Sequence, residues 1–340
     1  ANAGRRAPNL LCGALAGGMA GLVLFYGLAS SAAAVVGHAA MLEHGGPFAK
    51  FFDVFELRAQ QVEMLRSVTR AFSESQHLMV EAGTGTGKSF AYLVPAALWA
   101  MQNDARVVIS TNTINLQDQL INKDIPDLRD ALGFPLRATV LKGRSNYLCP
   151  RRLDSLRQRG PESADEMRVL GKVLVWLSQG GRGDRNEINL NGPIEREVWS
   201  RLSAEDEGCK AEVCMSRTGG ACPFYQSRMA AQSAHIIVVN HALLLADVIT
   251  GSRVLPDYSY LIVDEAHHLE SATTGALSYR VTQPDLSRML RELGGSSSGI
   301  LGRLLSLLQG QLRPSDFGAA NQAIQRATDL AFRTENGLSQ

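Results

Sequence analysis

The sequence predicts an α/β fold, a doubly wound parallel sheet with helices on its faces. Three observations carry that prediction: five short apolar runs rich in β-branched residues, helix-like stretches directly after two of them, and a glycine-rich turn between the first run and its helix. Buried parallel strands read as continuous apolar runs rather than alternating ones, and strand–helix–strand order is the connection a parallel sheet needs.

The runs are, in order, "HLMVEAG" (77–83), "RVVISTN" (106–112), "RATVLKG" (137–143), "HIIVVNH" (235–241) and "YLIVDEAH" (260–267). "KSFAYLVPAALWAM" follows the first and "INLQDQLINKDIPDL" the second, both with helical spacing of apolar residues. Between the third and fourth runs the texture turns polar and cysteine-bearing, which marks an insertion into the sheet domain. After Glu270 the chain reads as helical through "DLSRMLRELGG", a break at "GGSSSG", "ILGRLLSLLQGQL" and "AANQAIQRATDLAF". The expected organisation is an apolar N-terminal region (1–49), the first half of the sheet domain (50–145), the cysteine insertion (146–230), the second half (231–272) and the start of a helical insertion (273–340).

Apolar content of 45% over 340 residues supports a substantial core. A net charge of +1 gives no global attraction to polyanions, so any phosphate binding must be local. Five cysteines are too few for a disulfide scaffold. Four of them stand between two nucleotide-type motifs while Cys12 stands apart, a distribution that suggests a ligand set in a reducing compartment. Residues 10–36 carry no charge and follow Arg5 and Arg6, the pattern of a signal sequence or membrane anchor. Their Gly/Ala-rich composition favours a packed helical region, and a cytoplasmic protein, over a membrane segment. The chain starts without methionine and stops in a helical stretch, so a fragment of a longer protein is expected.

The first motif is Ala82-Gly83-Thr84-Gly85-Thr86-Gly87-Lys88-Ser89, a phosphate-loop pattern with alanine in place of the first glycine. Glycines let successive backbone N–H groups turn toward an anion, and the helix opening at Gly87 adds its positive end. Lys88 offers a point charge to the β- and γ-phosphates, and the Ser89 hydroxyl is a hard ligand for Mg²⁺. An unliganded strand-to-helix turn is the plain alternative, disfavoured by the predicted strand before the loop and the predicted helix after it. The second motif ends an apolar strand with Asp264, Glu265, Ala266 and His267, at the edge where α/β sheets bind ligands. Asp264 suits Mg²⁺ and Glu265 suits orienting a water for γ-phosphate hydrolysis.

These residues resemble those of a known family. Asp264-Glu265-Ala266-His267 is similar to the DEAH form of motif II in superfamily-two helicases, and "VEAGTGTGKS" resembles motif I of the iron–sulfur branch, the DinG- and XPD-like helicases. "FELRAQQVEML" resembles the Q-motif region of that branch. The resemblance implies a RecA-like P-loop NTPase motor domain that uses ATP and Mg²⁺, with Gln61 reading adenine, Arg58 beside it, and His267 coupling nucleotide state to neighbouring elements. "STNTINLQDQL" resembles motif Ia, which implies that Thr111, Asn112 and Thr113 touch single-stranded DNA. His241 and Asn240, at a strand end, read as a packed, hydrogen-bonded pair.

The cysteine spacing, Cys149 followed at a distance by Cys209-x₄-Cys214-x₇-Cys222-Pro223, suits a metal centre but does not separate structural zinc from an iron–sulfur cluster. The family resemblance implies a 4Fe–4S cluster, and an arch-like helical insertion after motif II. Arg151 and Arg152 begin an arginine run beside the first cysteine. Such a run is commonly a solvated helix face. In a family that threads single-stranded DNA past its cluster, the run implies a phosphate-binding wall. Together these implications describe an ATP-dependent 5′–3′ DNA helicase acting on single-stranded DNA and DNA with single-stranded tails. The rival is a cluster-bearing single-strand-binding or remodelling ATPase without unwinding. The second motor domain that supplies arginine fingers in helicases has no match after Glu270, so these 340 residues alone are expected to hydrolyse little ATP.

Overall fold

The computed structural model describes residues 21–27, 42, 45–52, 56–83, 85–205, 209, 214, 216, 218–252, 254–278 and 283–338. All five predicted runs form strands: β2 (Leu78–Ala82), β3 (Val107–Thr111), β4 (Ala138–Val140), β5 (Ile236–Asn240) and β6 (Tyr260–Val263). A sixth strand, β1 (Gly21–Gly27), precedes them in the chain, and the sheet order is β2-β1-β6-β3-β5-β4. β3 to β6 are mutually parallel, and β1 runs antiparallel to both β2 and β6.

β1 corrects the helical expectation for this part of residues 10–36. Leu22 to Tyr26 form a short run of strand-compatible residues between two glycines, and pairing on both sides satisfies the backbone of a central strand. The remainder of that apolar stretch, and Cys12, lie outside the described residues. Among the described residues no helix is long and apolar enough to cross a membrane.

Successive side chains of a strand point to opposite faces, and here both faces are covered. Val107, Ile109, Ile236 and Ile262 face a layer formed by α1 (Pro47–Phe51), α2 (Ala59–Glu74) and α3 (Lys88–Gln102). Trp99 and Tyr92 of α3 are among the largest side chains buried in it. The run after β3 is not one helix but α4 (Ile114–Gln119), a π-helical turn (Leu120–Asp124) and α5 (Ile125–Leu132). Val108, Ile237, Val239 and Leu261 face the opposite layer.

The segment between β4 and β5 builds its own small core from α6 (Pro150–Arg159), α7 (Ala164–Ser178) and α8 (Pro193–Leu202), with Leu153, Val173, Trp176 and Trp199 at its centre. α9 (Pro223–Ser233) leads back into β5, and α10 (His241–Ile249) and α11 (Leu269–Leu277) follow β5 and β6. A separate compact unit begins at Leu277, and among its described residues it contains the helices α12 (Gln283–Leu293), α13 (Gly299–Leu308) and α14 (Pro314–Leu338).

A buried ionic junction holds the inserted segment to the sheet. Lys142, just past β4, is 3% exposed, and its Nζ donates to Asp184 of the insertion at 2.8 Å and to Asp118 of α4 at 3.2 Å. Burial alone would push the ammonium pKa down, but the hydrogen bond and charge of Asp184, then those of Asp118, hold it above its ordinary value. Asn186 adds a hydrogen bond to the other Asp118 oxygen at 2.7 Å. Tyr147 accepts from the Lys142 backbone N–H at 3.0 Å and pairs with Ser227 at 2.8 Å. Removing one member of such a cluster leaves the others desolvated without compensation. Lys142→Ala is expected to lower stability by about 2 kcal/mol, discounted because both acids keep some solvent contact. Urea unfolding followed by tryptophan fluorescence measures it.

Candidate functional site

The parallel pairing of β3 with β5 and β6 puts Ser110 beside Val263 and Thr111 beside Asn240, so all three strands end at one edge of the sheet. The Asp264 N–H donates to Ser110 O at 2.8 Å and prolongs that pairing by one residue. β2 delivers the glycine-rich loop to the same edge.

Within the loop, Gly85 and Gly87 take left-handed backbone conformations, with φ of 79° and 77°. At Gly87 a second constraint applies, because an added Cβ would sit 2.2 Å from Gln61 Nε2. That amide donates to Gly87 O at 2.9 Å, and the Arg58 guanidinium donates to Gly85 O. Gln61 and Arg58, at the start of α2, therefore brace the outside of the loop. Thr86 Oγ1 donates to Gly83 O at 3.0 Å and closes it. Thr84 lies outside the described residues. α3 begins at Lys88, with Gly87 as its N-cap.

Lys88 Nζ lies 3.3 Å from Glu265 Oε1 and 3.5 Å from Ala82 O, both half-buried contacts that an anion in the loop would compete for. Glu265 holds φ 54°, ψ 41°, a left-handed conformation that costs a residue with a Cβ of order 1 kcal/mol or more. Its other oxygen is 3.5 Å from His267 Nδ1, and the His267 ring lies against His268 with centroids 4.0 Å apart.

Asp264 is 8% exposed and gripped on both oxygens: Oδ1 accepts the Glu265 N–H at 3.0 Å, and Oδ2 accepts the Tyr92 hydroxyl at 3.1 Å. Burial, then the charge of Glu265, raises its pKa to about 6, against the opposing pull of Tyr92 and Lys88. Ser89 lies in the electrostatic neighbourhood of Tyr92 and of Asp124, an acid of the π-helical turn whose pKa burial also raises. Tyr92, Asp124 and Ser110 are site residues the sequence reading missed. The available signals were a hydroxyl four residues after Lys88 in an otherwise apolar helix, and an acid on the apolar stripe that carries Leu120 and Leu128.

His241 and Asn240 are both hydrogen-bonded, to other partners than each other. His241 Nδ1 pairs with Ser110 Oγ at 2.8 Å, and Asn240 Oδ1 caps α10 by accepting the Leu243 N–H at 2.9 Å. Burial lowers the His241 pKa to about 4, so its ring is neutral near pH 7.

Two expectations about nucleic-acid contacts meet a different geometry. Thr111 is fully buried and among the described residues its hydroxyl has no partner, so its side chain is not at the surface. Asn112 is half-buried, and exposed Thr113 caps α4 by accepting the Leu116 N–H at 3.2 Å. Arg151 is exposed, whereas Arg152 donates to Ser200 O at 3.1 Å and Arg201 O at 3.4 Å, satisfying carbonyls at the end of α8. Sequence alone gave no means of separating these two neighbours.

Cys149 and Cys222 occupy the N-cap positions of α6 and α9, each followed by proline. Cys209 and Cys214 approach to 3.9 Å. Burial, then the nearby sulfurs of Cys209, Cys222 and Cys149, push the Cys214 thiol up to about 11. The other three sulfurs thus lie near enough to influence the titration of Cys214. Among the described residues, however, no three His, Cys, Asp or Glu side chains are placed to hold a metal ion. Beside the cysteines a groove of about 460 Å³ is lined by Lys142, Arg144, Phe224 and Arg228 among others, with the Arg144 guanidinium 5.2 Å and that of Arg228 5.8 Å from the Phe224 ring centre.

Because its folded pKa lies above the ordinary value near 4, Asp264 contributes stability that is present below about pH 4 and lost as pH rises through about 6. Asp264→Asn removes that dependence. The stability of the variant relative to the parent chain is expected to rise by about 2 kcal/mol between pH 4 and pH 7, measured by urea unfolding at each pH.

The DEAD/DEAH box helicase family matches residues 59–146, and the DEAD_2 family matches 207–286. The chain is 34% identical over 266 residues to the 3′-5′ exonuclease DinG of Bacillus subtilis (strain 168), covering 77% of this chain and 28% of that protein. It is 38% identical over 254 residues to the ATP-dependent helicase DinG of Mycobacterium tuberculosis (strain ATCC 25177 / H37Ra), covering 69% and 38%. To the ATP-dependent DNA helicase YoaA of Escherichia coli (strain K12) it is 34% identical over 237 residues, covering 66% and 35%. The matched region is thus about a third of the length of these relatives.

Proposed function

We propose, from the similarity of this chain to the DinG helicases over the stretch it shares with them, that it carries the first motor domain of an ATP-dependent DNA helicase. The observation that carries this reading is the meeting of Lys88 with Glu265 at 3.3 Å, across 177 residues of sequence, beside a loop braced by Gln61 and Arg58. Loop amides and Lys88 hold the β- and γ-phosphates of ATP. Ser89 and Asp264 hold Mg²⁺, which when bound neutralises phosphate charge. Gln61 is the proposed reader of adenine, with Arg58 beside it. Glu265, once Lys88 turns to phosphate, is free to orient the attacking water. His267, in contact with Glu265, transmits the change to its neighbours.

Single-stranded DNA, alone or as a tail on duplex, is the proposed polymer, moved 5′ to 3′ and coupled to unwinding in repair or replication. A groove lined by Arg144 and Arg228 supports it, since paired guanidinium groups attract a phosphate backbone. Asn112, Thr113 and Arg151 remain candidate contacts, and a cytoplasmic location fits this substrate. Cys149, Cys209, Cys214 and Cys222 are proposed to hold a 4Fe–4S cluster as a rigid staple rather than an electron carrier. The shared neighbourhood of the four sulfurs supports that reading.

Lys88→Ala is expected to weaken binding of a fluorescent ATP analogue by about 100-fold, a charge-assisted loss of a few kcal/mol. Equal affinity in the two proteins overturns the nucleotide reading. The same variant, purified anaerobically, is expected to keep the visible absorbance and iron and sulfide content of the parent. A colourless, zinc-loaded parent protein overturns the cluster.

A further inference from the structure

Asp124 and Tyr92 are buried polar side chains that hydrolysis as described above does not use, and both converge on the residues assigned to magnesium. Tyr92 is wholly buried in the apolar layer on α3, and its hydroxyl reaches Asp264 at 3.1 Å across 172 residues of sequence. Asp124 is 4% exposed, on a helical stripe otherwise filled by Leu120, Ile125 and Leu128. An acid there is costly unless its oxygens are satisfied. Gln119 Nε2 donates to it at 3.3 Å, and Ser89 lies within its electrostatic reach. The turn that carries it is π-helical, a geometry that recurs at functional sites.

We propose that Tyr92 and Asp124 are positioning residues for a divalent cation held between Asp264 and Ser89. Tyr92 donates to one carboxylate oxygen while the Glu265 N–H occupies the other, so the plane of the Asp264 carboxylate is set before any cation arrives. A hydroxyl has one proton and two lone pairs. The single Ser89 proton has two buried oxygens near it, Asp124 and Tyr92, and turned to either one it leaves the hydroxyl lone pairs free for the cation. Supporting groups of this kind orient ligands that would otherwise rotate, and their loss commonly costs tenfold or more in metal affinity. Because Asp124 lies on the same π-helical turn that follows α4, whose start is capped by Thr113, the chain also ties the cation site to the element that begins at the sheet edge.

This inference rests on the nucleotide reading, and the two fail differently. Mg²⁺ is titrated into the 340-residue chain with a fluorescent ATP analogue, against an EDTA baseline. Tyr92→Phe is expected to raise the half-saturating Mg²⁺ concentration about tenfold, and Asp124→Asn about threefold, with metal-free nucleotide affinity changed by less than about twofold. Mg²⁺ curves that superimpose on the parent, or affinities that fall in parallel with and without metal, overturn the inference and leave the nucleotide site standing. A parent chain that binds no nucleotide in Mg²⁺ overturns both. If Tyr92→Phe does not fold by circular dichroism, Asp124→Asn decides by the same criteria.

Discussion

Everything at the site depends on the register of β3 between β5 and β6. Parallel strands in register end together, and here that common edge holds Ser110, Thr111, Asn240 and Asp264. A slip of one residue would turn Val107 and Ile109 from one helical layer to the other and withdraw Asp264 from the loop. The wholly apolar, two-sided burial of these strands is what prevents the slip. Hydrophobic packing, which has no direction of its own, thereby fixes the position of a carboxylate.

The site then resolves a conflict between burial and charge. Asp264 is held where desolvation works against its ionised form, and Lys88, Tyr92 and the Glu265 N–H offset part of that cost. Glu265 is held in a left-handed conformation that its own Cβ disfavours. Both penalties fall on residues facing an anion loop rather than on the scaffold, a pattern expected where a ligand supplies the missing compensation. The Lys142 junction meets the same conflict differently: it satisfies its charge internally with Asp118 and Asp184, so its role is to fix the insertion on the sheet.

Much of this was legible in the chain. The five apolar runs became β2 to β6, because a buried strand advertises itself through its own residues. The glycine loop and the Asp264-Glu265 pair were legible because a backbone nest and a strand end are local. Other readings changed on folding. "INLQDQLINKDIPDL" broke into α4, a π-helical turn and α5. Part of the uncharged stretch near the N-terminus paired as β1. Thr111 went inside the sheet edge, and Arg152 was spent on the end of α8.

By itself the sequence determined that a phosphate loop, a strand-end acid pair and a grouped set of cysteines exist, since each is written in neighbouring residues. Only the tertiary structure decided which side chains serve them. Tyr92 and Asp264 are 172 residues apart, and a tyrosine in an apolar helix reads as core until packing shows what its hydroxyl touches. Asp124 looks like any surface acid until its stripe is seen to face inward, and Arg152 looks like its neighbours until it meets the end of α8. Burial is a property of the assembled layers, so the partners it selects cannot be read from either residue's own surroundings in the chain.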